Sequence, residues 1–460
     1  MEVDKKHDDY QDAAHYWEKM RHVVEGEERV KAEGEKYLPI PTGLKEGINS
    51  RSPEYTNYKT RARFLDAVAP AIEGMTGLMG RKKNDFELPE ALEYLRDVAT
   101  DDGLSLRELQ GRVESEVCTV GRHILLVDID DGNNENRPYI ATFTAESVIN
   151  WRGDADALTF LVIEEDVEVV DEDDPFTVAV ISQWRVAMLE EGKYVQKLYR
   201  KRTSEVAQGE SRFYLYDTLY PTFKGDAMTR IPAVIVGSRD LLPKPDAVPL
   251  LSAANKCLHY YRQYADYAMQ LYMSANGTTA WGTGVTKDEA PQYVGPTEFW
   301  YAEDASAQFG FAEISGTGLQ AQSNELEAIK SEVAHETVRV LGDKKAAEAA
   351  ETLRLRFQSQ TATLASISFS TTVGLKRALK FCAEWVGAEP EEVKIDPTVE
   401  FISEATDAQL LSALFDGVER GFVPDVLLID YLRRTGMHDM VDEVYRKWAA
   451  GMMAMDSGDE

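Results

Sequence analysis

The chain has 460 residues, 43% apolar and 10% aromatic, and its 80 acids against 50 lysines and arginines give a net charge of −30. That composition builds a sizeable core and excludes a disordered chain, while the acidic balance argues against tight, static nucleic-acid binding, which needs a basic footprint. No run of 18 apolar residues offers a membrane span, the opening MEVDKKHDDYQDA has no apolar signal core, and Cys118, Cys257 and Cys382 form no C-x-x-C pair and suit a reducing cytoplasm.

Periodicity predicts an amphipathic helix over 14–34, with Trp17, Met20, Val23 and Val24 on one side. A Pro/Gly-rich stretch over 37–43 leads into a helical run over 55–80 that carries Phe64, Leu65, Val68, Ile72 and Met75, then the basic cluster Arg81-Lys82-Lys83. The helix predicted over 104–120 opens on Ser105 with Glu108 three residues later, the pattern of a capping box. After Gly121 the period changes to two. Residues 123–129 and 139–143 read as a hairpin around the loop 130–138. Further strands are predicted over 158–165, 177–187, 194–200 and 213–216, separated by acidic turns such as 171–174. The first 240 residues thus read as helices followed by an antiparallel sheet, an α+β pattern.

Pro243, Pro245 and Pro249 break the chain, and the remainder is mostly helical. Residues 250–273 carry an apolar face of Leu251, Leu258, Tyr261, Ala265, Ala268 and Tyr272. Residues 319–341 carry a stripe of Leu326, Ile329, Val333, Val338 and Leu341. Between them, 274–317 form a Gly-rich, short-stranded insert with Trp281, Phe299, Trp300 and Tyr301. A break at Gly342-Asp-Lys-Lys345 precedes a long helical segment over 346–386, rich in Ser, Thr and Ala over 359–372. A strand-like piece over 393–402 and helices over 405–420 and 426–453 close the chain.

Motifs for chemistry are missing. His335-Glu336 lacks the second histidine of H-E-x-x-H. There is no G-x-x-x-x-G-K-[ST] phosphate loop, which separates the chain from a DNA-pumping motor, and no G-x-S-x-G elbow. The acidic loop over 128–135 places Gly132 one position early for a calcium loop and lacks the bidentate glutamate at the twelfth place, so it reads as a hairpin turn. The seven histidines are scattered, and Cys118 reads as a buried structural thiol. No catalytic residue, metal site or cofactor is expected.

The order of elements is more informative. Two helices of roughly 23 residues, each about 35 Å long, flank the insert. They predict an antiparallel pair projecting from the body with the insert at its tip. The remaining apolar stripe is satisfied either in an intramolecular bundle or by a neighbouring copy; a head-to-tail contact of the second kind closes into a ring.

Segments spread along about 400 residues carry a family resemblance. They are Tyr37-Leu-Pro39, the stretch 55–64, Gly74-Met-Thr-Gly77 leading to Arg81, Asp102-Gly-Leu-Ser105, Gly121-Arg-His-Ile-Leu-Leu-Val-Asp128, Pro138-Tyr-Ile140, Val148-Ile-Asn-Trp-Arg152, Ser323-Asn-Glu-Leu326 and the helical stretch 359–385. In this order and spacing the chain resembles the portal proteins of tailed bacteriophages, in the compact family long catalogued as a domain of unknown function. The resemblance implies a non-enzymatic α+β portal fold: an α/β wing over 1–245, a descending stem helix over 246–273 and a small α/β clip over 274–317. An ascending stem helix over 318–341, a tunnel loop over 342–352, a long wing helix and strand over 346–402 and a reduced helical crown over 403–460 would follow. It implies a homo-dodecamer at one vertex of the virion, assembled in the host bacterial cytoplasm and not on a membrane. That ring would nucleate the procapsid with major capsid and scaffolding proteins and dock the terminase large subunit. It would pass double-stranded DNA in packaging and ejection, and later hold the head-to-tail adaptor.

Within that resemblance, Glu325, Glu327, Glu332 and Glu336 would line the channel and hold phosphates off its wall, though the same residues suit a solvated helix face. Lys344 and Lys345 would form rings making weak phosphate contacts, or offset a helix C-terminus. Trp281, Phe299, Trp300 and Tyr301 would bind partners at the clip, or form a satellite core there. The small-residue run over 359–372 would pack on a neighbouring subunit or on its own sheet. Two rival readings remain: an acidic cytoplasmic hydrolase with carboxylate catalysis, and a different phage structural protein such as a capsid or adaptor component.

Overall fold

The computed structural model describes residues 2–41, 48–80, 86–129, 137–170, 178–202, 211–223, 226–275, 279–284, 303–312, 317–337 and 350–395, with the isolated positions Phe176, Tyr301, Val418 and Leu428. The chain divides into two compact units, Met1–Pro397 and Thr398–Glu460. In the second, Val418 and Leu428 are helical, and the rest of the helices predicted over 405–420 and 426–453 lies outside the described residues.

The first unit opens with α1 (Asp8–Glu25) and α2 (Glu27–Ala32). The single helix predicted over 14–34 therefore begins earlier and is cut at Gly26, whose φ of 93° is a conformation only glycine adopts without strain. The helical run predicted over 55–80 is likewise two helices, α3 (Pro53–Arg61) and α4 (Val68–Met79). Pro70 is the reason. It fits the first turn of α4, but its ring would clash with the carbonyl four residues earlier if the helix ran through Asp66.

A short strand, β1 (Phe86–Glu87), precedes α5 (Leu106–Val120). The predicted capping box is present: Ser105 Oγ accepts from the Glu108 N–H, and Glu108 Oε2 accepts from the Ser105 N–H at 2.9 Å. Gly121 ends α5 at φ 79°, packed so closely that a Cβ there would lie 3.2 Å from the Ala247 carbonyl oxygen.

The predicted hairpin is β2 (Arg122–Ile129) with β3 (Pro138–Thr144). Then come β4 (Val148–Gly153), β5 (Leu158–Val170), β6 (Val178–Glu190), β7 (Lys193–Lys201) and β8 (Phe213–Leu219), an antiparallel meander in that order. A small ribbon of β9 (Thr222–Phe223) and β10 (Asp226–Ala227) leads to β11 (Ala233–Gly237), which pairs with the free side of β2. Neither β4 nor β11 is predicted from the sequence. Every residue of β11 is buried, so it carries no alternation to detect.

The remainder is α6 (Leu251–Ala275), β12 (Thr279–Thr283), β13 (Gln308–Ala312), α7 (Thr317–Thr337), α8 (Ala350–Val386) and β14 (Lys394–Ile395), the last pairing with β1. α8 lies on the β11-β2-β3 sheet. Gly374 permits the approach: a Cβ there would lie 2.6 Å from Val236 Cγ2. Ser366 and Ser370 donate their hydroxyls to the Ser238 and Asp240 carbonyls, and Leu364, Ile367, Thr371 and Leu375 are buried. Of the two packing alternatives for the small-residue run, its described part takes the one against its own sheet. All three cysteines are buried thiols.

Candidate functional surface

α6 and α7 form an antiparallel pair, and β12 pairs with β13 at its far end, from Thr279 opposite Ala312 to Thr283 opposite Gln308. The pair forms because each helix has an apolar seam: Ala253, Ala254, Cys257, Leu258, Tyr261 and Ala265 are buried on α6, and Leu326, Ile329 and Val333 on α7. The seam stops partway along. Beyond Ala265 on α6, and before Leu326 on α7, none of the described side chains is buried. The outer portions bury no described side chain fully and lead to a strand pair.

Residues 58–64 brace α6 both within the buried seam and beyond Ala265. Tyr58 on α3 donates its hydroxyl to Asp266 Oδ1 at 2.6 Å, Phe64 packs edge-on to Tyr261, and the Arg61 guanidinium lies 3.8 Å from the Tyr272 ring centroid. Between the two helices, Lys256 Nζ lies 2.7 Å from Glu336 Oε1 and 3.1 Å from Glu332 Oε2, and Ser252 Oγ donates to Glu336 at 3.2 Å. The two carboxylates hold the Lys256 ammonium above its ordinary pKa, Glu336 first. One turn outward, Lys330 donates to Glu327 at 2.7 Å and lies 5.8 Å from the Tyr260 ring centroid; the Glu327 bond holds its pKa up as well.

The structure thus places the four predicted acids on one helix but in different states. Glu325 is exposed, Glu327 and Glu332 keep 69% and 61% of their side-chain surface, and Glu336, at 25%, is turned into the seam. Three of the four have a lysine partner inside the hairpin; Glu325 has none among the described residues. Lys256 and Ser252 were missed in the sequence. Their signal was the four-residue spacing on α6, matched by that of Glu332 and Glu336 on α7, visible once the helices are aligned outward from the insert.

At the tip, Trp281 sits in β12 opposite Gly310, and Tyr301 is 69% exposed. Phe299 and Trp300 lie outside the described residues, as do Val338, Leu341, Lys344 and Lys345.

Another cluster has metal-ligand chemistry: Glu18, His22 and Glu33 offer ligand atoms within 4.8 Å of one another. The chain's own groups occupy them. His22 Nδ1 pairs with the Tyr37 hydroxyl and Nε2 with Arg29, both at 2.9 Å, while Lys36 takes Glu18 at 2.6 Å and Arg29 takes Glu33 at 3.1 Å.

Residues 249–386, which hold α6, the insert, α7 and α8, match a family described as a domain of unknown function (DUF4055). Among solved structures the chain is similar to one from the neck of an empty gene transfer agent (GTA) particle computed with C6 symmetry. The two share 13% identity over 82% of this chain and 94% of that one, with a TM-score of 0.39. A chain from the neck of the native GTA particle, computed with C12 symmetry, gives the same figures: 13%, 82%, 94% and 0.39. A chain from the virion of the native GTA particle is 12% identical over 85% of this chain and 94% of that one, with a TM-score of 0.36. No curated protein matches the chain.

Proposed function

We propose that the chain is a portal-type subunit: many copies close into a ring at one vertex of a tailed-phage-like particle, and double-stranded DNA passes through its centre. The observation that carries this reading is the antiparallel α6–α7 pair, whose outer portions fully bury no described side chain while its ascending helix exposes Glu325, Glu327 and Glu332. The sequence resemblance supports it independently. A channel that DNA slides through must exclude the duplex from its wall without trapping it. Acids repeated around a ring do this, because each phosphate meets like charge within about one Debye length, ~8 Å at physiological salt. Pairing three of the acids with Lys256 and Lys330 moderates the repulsion, and Lys256, which bridges from α6 to Glu332 and Glu336 on α7, locks the helices in register. In this reading Lys344 and Lys345 supply weak phosphate contacts, and the insert's aromatics meet the terminase large subunit and the head-to-tail adaptor.

Native mass spectrometry with negative-stain imaging of the purified chain tests the proposal. We expect rings with a central hole and a mass of about 620 kDa, for twelve copies of the 51.6-kDa chain; eleven- or thirteen-fold rings count equally in its favour. Single chains at every concentration tested would refute it.

A further inference from the structure

The described pairing of β5 with β6 runs further than that of β6 with β7. β7 pairs with β6 from Gln183 onward, whereas β5 and β6 continue together for five more pairs, from Asp166 opposite Ser182 to Val170 opposite Val178. These five pairs span about 17 Å, at roughly 3.4 Å per residue. This ribbon exposes apolar surface: Val178 and Val180 are both exposed, Val180 by 62%. Its charge is of one sign. Within these five pairs the described residues include two acids, Asp166 and Glu168, and no base; Glu165, just inside the sheet, is paired with Arg185.

The opposite edge of the same sheet is its complement. Residues 199–202 and 211–216 include four bases, Arg200, Lys201, Arg202 and Arg212, and no acid. β8 is the edge strand, and Tyr214, Leu215 and Tyr216 on it are all exposed, Leu215 by 50%. Arg200 lies 3.5 Å from the Tyr216 ring centroid and Arg202 6.0 Å from that of Tyr214, so the patch mixes cation and ring. Natural edge strands are usually blunted by shortness or by charge alone; a seven-residue edge bearing exposed aromatics is suited to a partner.

We infer that the acidic β5–β6 ribbon of one copy docks on the basic, tyrosine-bearing β8 edge of the next. The occupant is a second copy because the two surfaces are complementary in charge, each carries exposed apolar side chains, and both occur on every chain. A contact between different patches is heterologous and propagates in one direction, closing into a ring or running on as a filament. The inference deepens the ring reading and rests on it for closure.

The test uses full-length chains. Val180→Cys and Leu215→Cys are placed in separate chains; both sites are exposed, and the three native thiols are buried and silent. Under a mild thiol oxidant, the mixture is expected to give a disulfide-linked pair that neither variant gives alone. In parallel, Glu168→Arg or Arg202→Glu is expected to raise the concentration at which half the chains assemble by about tenfold, and both changes in one chain to return it toward the parent value. Rings that form with neither the mixed cross-link nor any response to charge reversal overturn this contact and leave the ring reading standing. Chains that remain single throughout overturn both. Cross-linked open filaments uphold the contact and overturn closure.

Discussion

Glu114 is the residue whose chemistry departs furthest from its type among the described acids. It lies on the buried face of α5, 1% exposed, with the Gln110 amide donating to it at 2.8 Å. Burial outweighs that hydrogen bond and pushes its pKa from 4.5 up to about 7. The carboxyl is therefore protonated in the folded state over a range where the unfolded chain ionises it. Its contribution to stability is fully present below pH 4.5 and is lost as the pH rises through about 7. That loss amounts to about 3 kcal/mol for a shift of this size. Glu114→Gln, which keeps shape and removes the charge, is expected to leave the urea midpoint unchanged at pH 4 and to raise it at pH 8. Equal midpoints for the two proteins at pH 8 would show that Glu114 is solvated as an ordinary carboxylate.

At the scale of elements, the seating of α8 on β11 is where packing and propensity oppose each other. Alanine favours a helix over glycine by about 1 kcal/mol, so propensity alone predicts that Gly374→Ala stabilises. The Cβ it adds would meet Val236 Cγ2 at 2.6 Å and Leu241 Cδ2 at 3.5 Å, in a layer with no slack. Overpacking of this kind costs about 1–3 kcal/mol, and the expected net effect is a lowered melting temperature. Val236→Ala added to Gly374→Ala should recover part of the loss by vacating the contested space, although alone it destabilises. Additive losses in the double variant would place the strain elsewhere. The α6–α7 pair shows the converse case, in which apolar packing ends partway along and the polar pair of Lys256 with Glu336 lies beside its inner end.

For the whole molecule, the proposed function divides the chain's charge between self-association and DNA. In that proposal the β5–β6 ribbon and β8 edge would serve assembly, the α7 acids would keep the duplex off the wall, and Lys344 with Lys345 would provide the opposing attraction. Because the proposal assigns attraction and assembly to different residues, the two separate experimentally. Lys344→Glu combined with Lys345→Glu should leave ring mass unchanged while reducing packaged or retained DNA, read as genome content per particle. Particles with normal genome content would remove these lysines from the DNA path.

Much of the fold was legible from local pattern. The capping box at Ser105 and Glu108, the β2–β3 hairpin, the strands from 158 to 216 and the helices on either side of the insert all follow from periodicity and turn chemistry, which act over a few residues. Fully buried β11 carries no alternation, and the cuts at Gly26 and before Pro70 interrupt apolar stripes that look continuous. The acids of α7 were legible as a row, but not their separation into exposed Glu325, Glu327 and Glu332 and seam-bound Glu336. That depends on Lys256, eighty positions earlier than Glu336. Composition and spacing determined the elements and the sign of their charge; only the tertiary structure decided which charges neutralise one another and which surfaces remain uncovered, because those outcomes depend on contacts between residues far apart in the chain.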